Sequence, residues 1–334
     1  MDPHEPSTLE RLTRTLLAGR ATLPEPWRTA PLGLCLSGGA DSCALALAAS
    51  RAFHALPDAF PTGIQAFHAR HALRGSESDG DAASVRELCG RLGIALTELD
   101  AAVSHGPGLE ARARTARYAA IRQAAGPATL LATAHHRDDQ TETVLLRLLR
   151  GAGPVGLRGV HALRSDGIWR PFLPIPRQDL DQACREAGWA PRQDSSNQDP
   201  IYARNLLRLR LIPSLESEFP GFADRVASLA DAAQSLEPFL DRALARLADR
   251  IRLHDDSHGF SCDLSSLPDP ASDPELDLLL DRAWTRLGRR PWADAQRRRL
   301  LSDTASGATG RRSGGQGEIA IWGGKRLRIE RQLT

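Results

Sequence analysis

With 334 residues, 41% of them hydrophobic and 25% charged, the chain has the composition of an ordinary globular protein with room for more than one core, which excludes disorder as the default. Met1 to Trp27 is charged and broken by proline, and the small-apolar run Ala44 to Ala49 is too short to span a bilayer, so no membrane segment and a cytoplasmic location are expected. Net charge is only +2 but unevenly placed: residues 282–334 carry 13 Lys+Arg against 4 Asp+Glu, and residues 201–281 carry 8 against 15. Arg289-Arg290, Arg297-Arg298-Arg299, Arg311-Arg312 and Arg326-Arg328 are the basic clusters, a footprint suited to nucleic acid. Lys325 is the one lysine, so compositional bias toward arginine explains the same clusters equally well. The five cysteines, Cys35, Cys43, Cys89, Cys184 and Cys262, form no C-x-x-C pair and fit a reducing compartment, with no zinc or iron–sulfur pattern.

In chain order, the apolar run 32–36 precedes Ser37-Gly38-Gly39-Ala40-Asp41-Ser42 and a small-residue helical run from Cys43. Further strands are expected at 63–67, 94–99 and 129–133, alternating with helical patterns at about 77–92, 109–125 and 138–150. That alternation predicts an α/β fold with a Rossmann-like parallel sheet, helices on both faces and ligands at the carboxyl ends of the strands. Gly151-Ala152-Gly153-Pro154 breaks the pattern, and a short helix from about 177, an Asp-Ser-Ser-Asn loop and an arginine-bearing helix follow. Pro213 and Phe219-Pro220-Gly221 mark a boundary, giving a catalytic domain at 1–215 and a second, smaller, mainly helical domain at 216–334. Its helices are expected at about 222–252 and 274–288, and its strands at 319–322 and 326–329.

The loop at 37–42 sits between strand and helix, where glycines let backbone N–H groups approach an anion and the helix start adds unpaired donors. It lacks the lysine of a Walker loop and the spacing of a dinucleotide fingerprint. Asp41 would meet phosphate through a divalent cation, so a pyrophosphate loop using Mg²⁺ is inferred; a plain turn with Asp41 and Ser42 as capping residues is the bland alternative. After the 129–133 strand, Asp139 and Glu142 share a helix face, able to bind a metal or an ammonium group, or merely to complement the helix dipole. Arg114, Arg117 and Tyr118 fall within about one helical turn, on a phosphate-binding or a solvated face. Arg204 and Arg208, four apart, suit an anion or a domain-closing ion-pair network.

Taken with His68-Ala69-Arg70-His71-Ala72-Leu73-Arg74, Glu110 to Tyr118, Arg150-Gly151-Ala152-Gly153 and Asp194 to Arg208, these segments resemble, in order, the tRNA(Ile)-lysidine synthetase family of PP-loop ATP pyrophosphatases, strongly over residues 30–213. The resemblance implies an ATP-dependent ligase that joins free L-lysine to C2 of the wobble cytidine of a CAU-anticodon isoleucine tRNA. Adenylation of the C2 oxygen releases pyrophosphate, and attack by the lysine ε-amine then displaces AMP. On that resemblance Ser37, Gly38, Gly39, Ala40, Asp41 and Ser42 bind pyrophosphate, Asp41 holds Mg²⁺, and His68, Arg114 and Arg117 lie around the nucleotide. Asp139 and Glu142 recognise lysine, and Arg204 and Arg208 approach activated cytidine or phosphate. The partners implied are tRNA(Ile) and lysine, compatible with a homodimer. Arg70 stands where a small polar or acidic residue is usual and Ala72 where glycine is usual, which puts the adenine-side contacts in question. The chain is shorter than the longest members, so no third domain is expected and tRNA contact would fall on residues 282–331. The rivals are a PP-loop tRNA thiolase, disfavoured by the cysteine pattern, and a non-catalytic RNA-binding protein, disfavoured by the intact loop and acidic pair.

Overall fold

The computed structural model describes residues 6–71, 76–101, 109–151, 154–192, 203–256, 258–286, 294–314 and 318–331. Two compact units, Met1–Gln234 and Ser235–Thr334, make up the chain.

In the first unit, α1 (Thr8–Ala21) precedes β1 (Leu32–Cys35), α2 (Ala40–Ala55), β2 (Ile64–His71), α3 (Ser76–Leu92), β3 (Ala95–Ala101), α4 (Leu109–Ala125), β4 (Leu130–Ala132), α5 (Arg137–Leu149), β5 (Ile168–Trp169) and α6 (Arg177–Glu186). The five strands form a wholly parallel sheet in the order β3-β2-β1-β4-β5. Strand alternation divides the core. Leu32, Leu34, Ala66, Leu130 and Ala132 join the cluster with α1, α2 and α6, whereas Phe67, Ala69, Leu131 and Ile168 pack with Ile121 of α4 on the other face. Gly33 points to that second face, where a Cβ would come within 2.8 Å of Leu131 and 2.9 Å of Phe67. Helix α2 is buried almost all round, and its Ala, Ser and Cys residues let neighbouring elements approach closely.

Sequence order reverses between β1 and β4, so the carboxyl ends of these two strands define the crevice in which open α/β sheets bind ligands. The 37–42 loop follows β1 and the 133–142 segment follows β4.

Beyond α6, α7 (Ala203–Leu206) runs through a π-helical stretch, Leu207–Leu211, into α8 (Ile212–Glu218) and then α9 (Phe222–Ser235). Pro213 has no N–H to bond the carbonyl four residues back, and the ladder widens just before it. The units divide at 234/235, whereas the sequence reading places the boundary at 215/216. Val226 and Ala230 of α9 cluster with Val144 of α5, and Gln234 Nε2 donates to the carbonyls of Arg158 (2.6 Å) and Val160 (3.1 Å). Proline and glycine here punctuate helices rather than separate units.

The second unit holds α10 (Glu237–Arg250), β6 (His254–Asp255), β7 (Gly259–Asp263), α11 (Pro274–Arg286), α12 (Asp294–Ala305), β8 (Gly310–Ser313), β9 (Glu318–Gly323) and β10 (Arg326–Arg331). Its antiparallel sheet, ordered β6-β7-β10-β9-β8, includes three strands absent from the sequence reading, β6, β7 and β8. Gly324 and Lys325, at φ of 58° and 65°, close the β9–β10 hairpin as a two-residue turn. Trp284 and Phe260 meet edge to face in the core at 5.2 Å.

Candidate active site

Gly38 adopts φ of 90°, and a Cβ there would press against the Asp81 carbonyl oxygen at 3.2 Å, so the turn out of β1 requires glycine. Gly39 is extended and α2 begins at Ala40. The buried Ser42 hydroxyl organises the loop from inside: it accepts from the N–H groups of Ser37 (3.1 Å) and Gly38 (3.2 Å) and donates to Gly39 O (2.9 Å). The first N–H groups of α2 have no intrahelical acceptor and remain the loop's donors toward an anion. Thiols pack behind it, Cys43 Sγ at 3.6 Å from Gly38 O and Cys184 Sγ at 3.4 Å from Ala40 O.

Across the crevice, His136 caps the start of α5 with a fully buried ring. Its Nε2 lies 3.6 Å from Asp41 Oδ2 and 3.4 Å from Asp139 Oδ2, linking the two segments. Asp139 Oδ2 also accepts from the His136 backbone N–H at 3.1 Å. Burial opposes the charged imidazole, but Asp41, Asp139 and Asp138 together outweigh it and raise the His136 pKa. Burial likewise opposes ionisation of Asp139, yet His136 above all, together with Arg204, holds its pKa below the usual carboxylate range.

His135 behaves in the opposite way. Arg114 donates to its Nε2 at 2.8 Å, which leaves Nδ1 as the protonated nitrogen, 2.8 Å from Thr133 Oγ1. Burial, reinforced by Arg114, Arg170 and Arg204, lowers its pKa to about 3, so the ring stays neutral.

The Glu142 carboxylate is completely buried and gripped by two guanidiniums: Arg204 Nε at 2.8 Å and Arg208 Nε at 2.6 Å. Arg204 also reaches Thr143 Oγ1 (3.1 Å), and Arg208 lies 3.6 Å from Asp139 Oδ1. The ion-pair network left open by the sequence is therefore formed, with both arginines supplied from α7 and its π-helical continuation.

His68, midway along β2, bonds Leu36 O through Nδ1 at 2.9 Å, and burial lowers its pKa. Arg117 is near enough for its charge to act on both His68 and Cys35. Arg70 pairs with Asp100 on β3 at 3.0 Å. Ala72, Asp194 to Asn197, Tyr202 and Arg289-Arg290 lie outside the described residues. Sequence reasoning missed His136 as the link between the segments, and Arg177, whose Nε is 3.7 Å from Asp41 Oδ1. A cation in the first turn of a helix, where acidic residues are favoured, was the available signal for Arg177.

The basic tail changes meaning on folding. Residues 235–334 hold 17 Lys+Arg and 15 Asp+Glu, and Arg282 pairs with Asp241, Arg297 with Asp277, Arg312 with Asp303, and Arg326 with Asp263. Much of the asymmetry along the chain is thus matched within this unit.

The family model for the PP-loop domain matches residues 17–215. A tRNA(Ile)-lysidine synthase of Bordetella bronchiseptica is 41% identical over 248 residues, covering 69% of this chain and 68% of that protein. That of Pseudomonas putida is 38% identical over 230 residues, covering 66% of this chain and 52% of its own length. That of Xanthomonas campestris is 39% identical over 208 residues, 60% of this chain and 46% of its own. The chain spans about half the length of these last two curated relatives. Among solved structures, the U34-tRNA thiolase NcsA from Methanococcus maripaludis, with its [4Fe-4S] cluster, shares the fold at a TM-score of 0.51 and 16% identity, covering 67% of this chain and 79% of that one. By the match over residues 17–215 and the extent of the Bordetella similarity, the chain belongs to the PP-loop family and, within it, to the tRNA(Ile)-lysidine synthases.

Proposed function

We propose that the protein ligates free L-lysine to C2 of the wobble cytidine in a CAU-anticodon isoleucine tRNA, consuming ATP and releasing pyrophosphate and AMP. The observation that carries this reading is the meeting, at the β1/β4 crevice, of the Ser37–Ser42 loop with the Asp139–Glu142–Arg204–Arg208 network. One part is shaped for phosphate. The other mixes buried carboxylates and guanidiniums, which suits a zwitterion carrying an additional ammonium group.

In the first half-reaction the cytidine C2 oxygen attacks the α-phosphorus and pyrophosphate leaves. Ser37, Gly38, Gly39, Ala40, Asp41 and Ser42 would hold the pyrophosphate end, with His68, Arg114 and Arg117 around the remainder of the nucleotide. Asp41 fits a Mg²⁺ ligand, since its buried Oδ1 accepts no hydrogen bond and Mg²⁺ is commonly held by one or two carboxylates plus substrate phosphates. When bound, Mg²⁺ supplies positive charge to the departing pyrophosphate.

In the second half-reaction the lysine ε-amine attacks C2 and AMP leaves. Asp139 and Glu142 would face the ammonium groups of lysine, and Arg204 and Arg208 the anionic cytidine adduct. Sulfur delivery by this chain's cysteines is disfavoured: burial raises the thiol pKa of Cys43 and Cys89 to about 11 and of Cys35, Cys184 and Cys262 to about 12, leaving them poor nucleophiles. Free thiols also fit the cytoplasm, and among the described residues no helix is long and apolar enough to cross a membrane. For tRNA contact, the exposed sheet row Arg311–Ile321–Arg328 of the second unit supports the use of residues 282–331.

The test is mass analysis of an unmodified CAU-anticodon tRNA(Ile) transcript incubated with protein, ATP, Mg²⁺ and lysine. A lysine adduct at the wobble cytidine is expected. Pyrophosphate release without an adduct would move the search to another acceptor, and no release would favour a binding protein.

A further inference from the structure

Three helix starts converge on Asp41: its own at α2, that of α5 through His136, and that of α6 through Arg177. The second and third of these helices both open on an arginine, but Arg137 of α5 is paired with Asp224, whereas Arg177 of α6 faces Asp41. A helix N-terminus already carries partial positive charge, so an arginine as the first residue of α6 works against the dipole and calls for another reason.

Position supplies that reason. Pro176 sets the entry to α6, the Arg177 backbone N–H donates to Asp138 Oδ1 at 3.3 Å, and the Arg137 N–H donates to Ile175 O at 2.8 Å, so this segment is tied to the start of α5. The Arg177 Nε, 3.7 Å from Asp41 Oδ1, is sealed from solvent and makes no hydrogen bond, while the side chain as a whole keeps about one-third of its surface exposed at 34%. Asp41 Oδ1 also lacks a hydrogen bond. The pair is close enough for charge neutralisation but unsaturated on both sides. Meanwhile, the loop contains no lysine, and two of its N–H groups are taken up by Ser42.

We propose that Arg177 is a pyrophosphate-binding residue that exchanges the Asp41 carboxylate for the β- and γ-phosphate oxygens of the nucleotide. This deepens, and rests on, the ATP-dependent reading above. A planar guanidinium can donate two parallel hydrogen bonds to phosphate, a geometry that an ammonium group does not reproduce. The exchange also frees Asp41 as the nucleotide enters.

Calorimetric titration with Mg²⁺-pyrophosphate, Mg²⁺-ATP and AMP tests this in wild type, Arg177→Met and Arg177→Lys. In Arg177→Met, pyrophosphate and ATP affinity should fall roughly 10- to 100-fold, the range for losing a charged hydrogen-bond partner, while AMP affinity stays within about twofold. Arg177→Lys should recover part of the loss. Unchanged pyrophosphate affinity, or an equal loss for AMP, would overturn the assignment, the latter indicating a structural role only. A wild type that binds neither ATP nor pyrophosphate would instead bring down the nucleotide reading itself. Since the titrations involve no acceptor, absence of a lysine adduct in the transcript assay would leave the role of Arg177 standing.

Discussion

The two segments facing each other at the β1/β4 crevice are built from opposite chemistry. The 37–42 loop is shaped by backbone groups, one buried hydroxyl and a glycine at positive φ. Its counterpart is shaped by charge: a buried carboxylate between two guanidiniums, one histidine kept neutral and another whose pKa is raised. The hydrogen bonds between the loop's backbone and the Ser42 hydroxyl close within six residues. A charged network in a low-dielectric setting must be balanced by groups from other elements, and Glu142 finds its partners more than sixty residues away.

Substitutions can break this contrast. Asp41 joins the two halves, so Asp41→Ala should reduce pyrophosphate release at least about 100-fold, the scale on which loss of transition-state charge stabilisation is felt. A near-normal rate in a pyrophosphate-release assay would remove it from the mechanism. Glu142→Gln strips the countercharge from Arg204 and Arg208 and should cost about 3 kcal/mol of stability by urea unfolding. It should also impair lysine use more than adenylation. Equal loss in both half-reactions would make Glu142 a purely structural residue.

Gly38→Ala forces a side chain to φ of 90° and against Asp81, and should cost about 1–2 kcal/mol while weakening ATP binding, measured by unfolding and nucleotide titration. Ser42→Ala removes the hydroxyl that gathers two N–H groups and should cost about 1 kcal/mol, independent of salt because no charge is involved. Strong salt dependence in that variant would erase the distinction between the neutral and charged halves.

His135 ties the charged half to pH. Its folded pKa of about 3 lies below the unfolded value of about 6.5, so the unfolded chain binds the proton first as pH falls. The associated stability is intact above about pH 6.5 and declines as pH drops toward 3. Unfolding midpoints at pH 7.5 and pH 5 should therefore differ less in His135→Gln than in wild type. An unchanged difference would exclude His135 as a contributor to acid sensitivity.

Residues Ser37 to Ser42 could be read directly because a strand, a glycine turn and a helix start are local events, set by backbone sterics and short-range hydrogen bonds. Helices at 77–92 and 109–125 were legible for the same reason, through their 3.6-residue patterning. Helix α1 escaped notice among charges and prolines, since its Leu12 and Leu16 become core residues only against α2 and α6. Basic clusters in the tail pointed to an extended charged surface, but linear charge does not reveal the folded partners Asp241, Asp277, Asp303 and Asp263.

By itself, then, the sequence determined the alternating α/β plan, the glycine turn between β1 and α2 and the residue types of the facing segment, all of which follow from neighbours within a few positions. Tertiary structure alone decided that Glu142 is neutralised by Arg204 and Arg208, that His136 joins Asp41 to Asp139, and that Arg177 stands beside the loop. Each depends on which helix starts and side chains the sheet order brings within about 4 Å, a separation at which an opposite charge favours the ionised form.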